Sequence, residues 1–207
     1  MASLIGKKVG MTQVFTENGT LVPVTVLQFE TNYVVAQRLE EKDGYSAVVL
    51  GSGSMKEKSV SQPYKGQFPE GVAPVKRLQE FRDFGAEVTV GDQLGVDVFQ
   101  DVVYVDVAGV SKGKGYQGVM RRHGFGGGRK THGSKFHRAN GSTGMAATPS
   151  RVLKGTKMAG RMGSDNVTVQ NLRIEQIDTE NQLILVRGAV PGSRNSTVVV
   201  SAAKKKN

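Results

Sequence analysis

Cysteine and tryptophan are both absent from the 207 residues. The first absence excludes disulfides and thiolate metal sites. Long apolar runs are missing too. The start, MASLIGKKVGMTQ, holds no hydrophobic stretch of signal-peptide length, and nothing further on approaches a membrane span. A soluble, cytoplasmic protein without a membrane partner is therefore expected. The most telling absence is local. From Val107 to Ser164, 58 residues carry twelve Lys and Arg and not one Asp or Glu. The rest of the chain holds sixteen basic and eighteen acidic residues, a net of −2. Set against a whole-chain charge of +10 and a pI near 9.9, this describes a near-neutral body with one basic insert. Such a charge balance favours a polyanionic partner.

The insert also lacks the means to build a core. Ser111 to Arg151 contains no Leu, no Ile and a single Val, Val119, while fourteen of the 27 glycines and all three histidines lie between Val107 and Ser164. So little apolar surface cannot offset the entropy of ordering the backbone. The stretch RRHGFGGGRKTHGSKFHR, residues 121–138, needs something outside itself to hold one shape.

What the body does have is strand pattern. KKVGMTQVF and LVPVTVLQF flank Asn18-Gly19, the strongest short hairpin signal. NYVVAQRL and YSAVVLG follow around Lys42-Asp43-Gly44. Residues 52–71, rich in Ser, Gly, Pro and Lys, predict a linker excursion, and PVKRLQEFRDF fits either a strand or a short helix. EVTV and VVYVDVAGV predict further strands. Beyond the insert, NVTVQNLRIEQID, QLILVRGAV and STVVVSA restore the same alternation. Many short strands with frequent turns predict a mainly β fold, a small barrel or sandwich. Neither flank offers enough strands to close alone, so residues 1–110 and 164–207 are expected to share one core, with 111–163 as an inserted extension. In that extension YQGVMRRH suits one short helical turn.

Motifs for catalysis are poor. GKGYQG, residues 113–118, matches G-x-G-x-x-G, but the next acid is Asp165, too far on to hold a ribose. GRKTHGSK lacks the Lys-Ser/Thr order of a phosphate loop. His123, His132 and His137 have no carboxylate or thiolate beside them and are crowded by cations, so no metal is expected. No catalytic residues, cofactor or small-molecule substrate are expected, and the chain is not read as an enzyme. Arg pairs phosphate bidentately, planar rings stack on unpaired bases, and glycine admits close backbone approach. The candidates for RNA contact are Lys112, Lys114, Arg121, Arg122, His123, Arg129, Lys130, His132, Lys135, Phe136, His137, Arg138, Arg151, Lys154, Lys157 and Arg161. The terminal Lys204, Lys205 and Lys206, taken alone, suit a solvated tail.

Several of these stretches resemble a known family. GKKVGMTQVF, DGYSAVVLG, SKGKGYQGVMRRHGF, THGSKFHR, KGTKMAGRMG, VTVQNL and LVRGAVPG are similar, in order and over nearly the whole chain, to the bacterial members of the large-subunit ribosomal protein family called "L three". The resemblance implies a six-stranded barrel like that of translation elongation factors, with a long basic Gly-rich extension inserted. It implies binding to 23S rRNA near its 3′ end, a role in subunit assembly, and large-subunit proteins fourteen and nineteen as neighbours. Charge vanishes between Arg138 and Arg151, in ANGSTGMAATPS. Residues alone leave open an ordinary surface turn at Asn140-Gly141 and an apex threaded between RNA helices. The resemblance selects the second, with Gly144, Met145, Ala146, Ala147 and Thr148 nearest the peptidyl transferase centre. Ala147 departs from the family pattern, standing where many bacterial members carry a methylated glutamine.

Overall fold

Asn18-Gly19 turns the chain between β1 (Ser3–Phe15) and β2 (Leu21–Gln28), which pair antiparallel in a computed structural model describing residues 2–69, 71–85 and 87–206. Gly19 takes a φ of 73°, and its amide donates to the Thr16 carbonyl at 2.8 Å. A glycine adopts that left-handed conformation without a Cβ penalty. The chain continues through β3 (Asn32–Arg38), the single helical turn α1 (Glu40–Asp43) and β4 (Ala47–Ser54). A 3₁₀ turn (Glu57–Ser59), α2 (Gln62–Lys65), β5 (Val75–Arg82), β6 (Gln93–Leu94) and a second 3₁₀ turn (Val96–Phe99) follow, then β7 (Tyr104–Val110). After the insert come β10 (Asn166–Asp178), β11 (Leu183–Arg187) and β12 (Thr197–Ala202).

Six strands close into an antiparallel ring in the order β1–β12–β7–β10–β11–β2, with β2 pairing back onto β1. Strands from both sides of the insert thus share one core. Register shifts at Lys8/Gly10 in β1, and at Val169/Leu172 and Ile174/Gln176 in β10, bend the two longest strands around the ring. The interior is apolar: Val22, Val24 and Leu27 of β2 and Val105 and Val107 of β7 are buried, and so, in strict alternation, are Ile184 and Val186 of β11 and Val198 and Val200 of β12. Each such side chain contributes about 1.5–3 kcal/mol when fully withdrawn from water.

A second sheet, β5–β4–β3–β6, is a feature the strand pattern alone did not separate from the ring. Its Val34, Leu50 and Phe81 join Leu4, Ile5, Phe29 and Phe99 in one continuous apolar cluster with the ring's interior. Asn32, fully buried, ties the two sheets. It accepts from the Ile5 amide (2.9 Å) and donates to the carbonyls of Ile5 (3.1 Å) and Glu30 (2.9 Å). Two local expectations need correction. Residues 52–54 are strand rather than linker, because β4 stays paired with β5 from Ala47–Arg82 to Ser54–Val75. Glu70 of the expected excursion lies outside the described residues. Glu87–Val90 is not a strand. Asp92 captures it instead, accepting from the Thr89 amide (2.6 Å) and hydroxyl (2.8 Å), bonds that hold the Asp92 carboxyl below the usual carboxylate range.

By internal packing the chain divides into Met1–Val110 with Asn166–Asn207, and Ser111–Asp165. The strand residues bracketing the second unit, Val110 and Asn166, face each other in the β7–β10 pair.

Candidate nucleic-acid interface

The Ser111–Asp165 unit begins and ends as a paired stem. The Ser111 amide donates to the Asp165 carbonyl (2.9 Å), Lys114 to Met162 (2.8 Å) and Met162 to Gly115 (3.0 Å). Two short strands continue the pairing, β8 (Tyr116–Gln117) and β9 (Gly160–Arg161), with Tyr116 opposite Arg161. The expected helical turn is α3 (Val119–His123), closed by Gly124, whose amide donates to the Met120 carbonyl. Arg121, Arg122 and His123 form its last turn, where cations suit the negative end of the helix.

Two of those residues fasten the unit to itself. Arg122 Nη1 and His123 Nε2 both lie 2.9 Å from the Met158 carbonyl of the returning limb. A carbonyl only accepts, so the His123 proton sits on Nε2. Gly160 leaves room for this clamp, since a Cβ there would collide with the Arg122 guanidinium.

The Gly-rich stretch folds around Phe136. The Gly128 amide donates to the His137 carbonyl (2.9 Å), and His137 Nδ1 donates to the Arg129 carbonyl (2.9 Å). The Ser134 hydroxyl donates to the Phe136 carbonyl at 2.9 Å and accepts from the Phe136 amide at 3.2 Å. Gly128 lies so close to Phe136 that a side chain there would overlap the Phe136 carbonyl and ring. Glycine is needed at this position for close approach. At the apex the Gly144 amide donates to Ser142 Oγ (3.1 Å), the Ser150 hydroxyl to the Ala147 carbonyl (2.7 Å), and Ala146 bridges Pro149. Met145 is 52% exposed.

All twelve Lys and Arg of the unit are exposed. The ion pairs among the described residues, Arg38–Asp43, Arg82–Glu80 and Arg173–Glu175, lie in the other unit. Among the described residues the candidate cations therefore have no carboxylate ion-pair partner. They are not equivalent, however. Arg122 and His123 are bonded to Met158, and His137 to Arg129. Lys112, Lys114, Arg121, Arg129 (whose bond to His137 uses only its backbone carbonyl), Lys130, Lys135, Arg138, Arg151, Lys154, Lys157 and Arg161 present their charge outward. Exposed apolar groups stand among them: Tyr116, Phe136, Val152, Leu153 and Met158. Tyr116, 73% exposed, was not among the candidates read from sequence, although its setting in Gly-Tyr-Gln-Gly was the available signal. In the other unit, a cation can be internal. Lys8 is buried and donates from Nζ to the carbonyls of Val190 (2.6 Å) and Gly192 (3.2 Å).

Among the described residues no group of three or more His, Asp or Glu could hold a metal ion, and no helix is long and apolar enough to cross a membrane. A closed β ring carrying a unit with twelve exposed cations and a single carboxylate, Asp165, has the charge pattern of proteins that meet a polyanion. The family model for ribosomal protein L3 matches residues 75–183. A protein of Treponema denticola named "Large ribosomal subunit protein uL3" is 59% identical over 206 residues, covering 100% of this chain and 99% of that one. The protein of the same name from Borrelia hermsii is 54% identical over 207 residues, covering 99% of each. The chain belongs to the ribosomal protein L3 family. It is a structural constituent of the large ribosomal subunit, cytoplasmic in bacteria, and not an enzyme.

Proposed function

We propose that the Ser111–Asp165 unit is the element through which the chain binds 23S rRNA. The observation that carries this reading is twelve exposed cations, none of them ion-paired among the described residues, on a unit that holds only one carboxylate, Asp165 at its end. Phosphates supply the missing counter-charge, and Tyr116 and Phe136 offer planar faces to unpaired bases. The resemblance further supports contact near the rRNA 3′ end, a role early in subunit assembly, and proteins fourteen and nineteen as neighbours. The barrel is read as the elongation-factor-like platform that carries the extension. The test is direct: the full chain is titrated with deproteinised 23S rRNA across a salt series. Tight binding that weakens steeply with salt is expected, and weak, salt-insensitive binding would refute the reading.

The apex is assigned to the neighbourhood of the peptidyl transferase centre, with Gly144 to Thr148 nearest it. Its neutrality between Arg138 and Arg151 suits a tight space between helices whose phosphates the flanks neutralise. The role is to shape RNA, with no part in chemistry. Bulky or charged replacements at Met145, Ala146 or Ala147 should leave rRNA affinity within a few-fold of the parent. They should change peptidyl transfer, or sensitivity to drugs bound at that centre. Substituted ribosomes that assemble and respond normally in both assays would remove the apex from this role.

A further inference from the structure

A second cationic site lies in the other unit, on the outside of the barrel. Tyr104 of β7 pairs with Arg173 of β10. Arg173 of β10 and Arg187 of β11 each lie one residue beyond the Ile174–Val186 pair, on adjacent strands, and line the same cavity. The row Tyr104–Arg173–Arg187 thus crosses three adjacent strands. The C-terminal tail returns to the same place. The Ala203 amide donates to the Tyr104 carbonyl at 3.0 Å, and Lys206 Nζ sits 4.3 Å from the centre of the Tyr104 ring. Asn171, Arg173, Arg187, Lys206 and Tyr104 line one open cavity of about 420 Å³.

This arrangement is unfavourable by itself. Like charges facing each other across neighbouring strands are destabilising, and here two guanidiniums and an ammonium converge on one cavity. Among the described residues the only carboxylate paired with any of the three is Glu175, whose oxygen stands 3.9 Å from Arg173 Nε, too long for a hydrogen bond. Arg187 and Lys206 have no ion pair among the described residues. The tail, which as sequence suits a solvated terminus, is held on the barrel by a backbone bond and a cation–π contact. We propose that Arg173, Arg187 and Lys206 form a phosphodiester-binding site on the barrel, separate from the extension, that engages the RNA backbone. Two guanidiniums can grip phosphate oxygens bidentately, while the ammonium contributes a point charge. The Asn171 side-chain amide can donate beside them, its backbone amide being taken by Asp106 (2.8 Å).

The inference rests on the rRNA-binding reading above, and one experiment separates the two. Full-length chain and the variant R173Q/R187Q/K206Q are titrated with deproteinised 23S rRNA over a salt series. Loss of two to three phosphate contacts should lower the log–log salt slope by roughly 1.4 to 2.7. The charge-conserving variant R173K/R187K/K206R should keep most of the slope. Without RNA, the neutral variant should melt no lower than the parent, because it relieves repulsion. If the parent itself fails to bind with salt dependence, the rRNA reading falls. If the parent binds and the neutral variant keeps its full slope, the barrel site falls while that reading stands. A neutral variant that melts lower and binds with an unchanged slope would assign the row to structure alone.

Discussion

Replacing Arg121, Arg122, Arg129, Lys130, Lys135 and Arg138 with Gln is expected to lower rRNA affinity on the order of a thousandfold or more near 0.1 M salt, and to reduce the salt slope by about 4 to 5. The sum assumes one phosphate per cation, at roughly 0.7 to 0.9 of slope each. All six are exposed and none has a carboxylate partner among the described residues, so removing them leaves no buried charge uncompensated there. The barrel should therefore keep its melting temperature. The structure divides the six, and the division can be checked one residue at a time. Arg122 donates to the Met158 carbonyl, 36 residues away. Its replacement should loosen the clamp between α3 and the returning limb as well as remove a charge. Arg122→Gln alone should speed amide exchange around Met158, whereas Lys130→Gln or Lys135→Gln should change only the slope. A slope that survives all six replacements would move the electrostatic contact off this unit.

Gly128→Ala is expected to unfold the loop around Phe136 while leaving the barrel intact. A methyl at Gly128 would overlap the carbonyl and ring of Phe136, and backbone cannot rotate aside as a flexible side chain can. Overpacking of this kind costs about 1–3 kcal/mol. Relief requires parting Gly128 from His137, which breaks the amide bond between them and carries off the Arg129–His137 contact. Binding would then have to restore that order, so rRNA affinity should fall by about fivefold to somewhat over a hundredfold, the same energy expressed as an equilibrium. The charge is untouched, so the salt slope should hold. Proteolysis of the free variant should accelerate at Arg129, Lys130 and Lys135 but not within the barrel strands. Equal affinity for Gly128→Ala and parent would show that the loop's shape does not matter to binding.

The barrel strands were legible because they alternate. In β11 and β12 every second side chain is buried, and that period is visible without coordinates. The insert was legible for the opposite reason, its want of carboxylates and of Leu and Ile. Which sheet a strand enters is another matter. β3 and β4 are as rich in strand-forming residues as the ring strands, and only long-range pairing sends them to a second sheet. Glu87–Val90 has strand-forming residues, yet three residues beyond Thr89 an aspartate offers its amide and hydroxyl a better partner. Within the candidate interface, composition marked the cations but not the clamp. Met158 contributes a backbone carbonyl, and no side-chain pattern reports the use of a carbonyl. The barrel row of Arg173, Arg187 and Lys206 was equally hidden, since its members stand fourteen and more residues apart and meet through strand register and a folded-back tail.

The ring order also bears on synthesis. Among the described residues Ser3–Gly6 of β1 finds its strand partner in Val198–Ser201 of β12, so the start of that strand waits for nearly the last residues of the chain. The Ser111–Asp165 unit is complete some thirty residues earlier, about two to six seconds before closure at ordinary elongation rates. A nascent chain thus emerges with its cations exposed while its barrel is still an open sheet with unpaired edges. Such edges invite wrong pairing between chains. The interval is brief, but within it the chain can meet nucleic acid before its own body has closed.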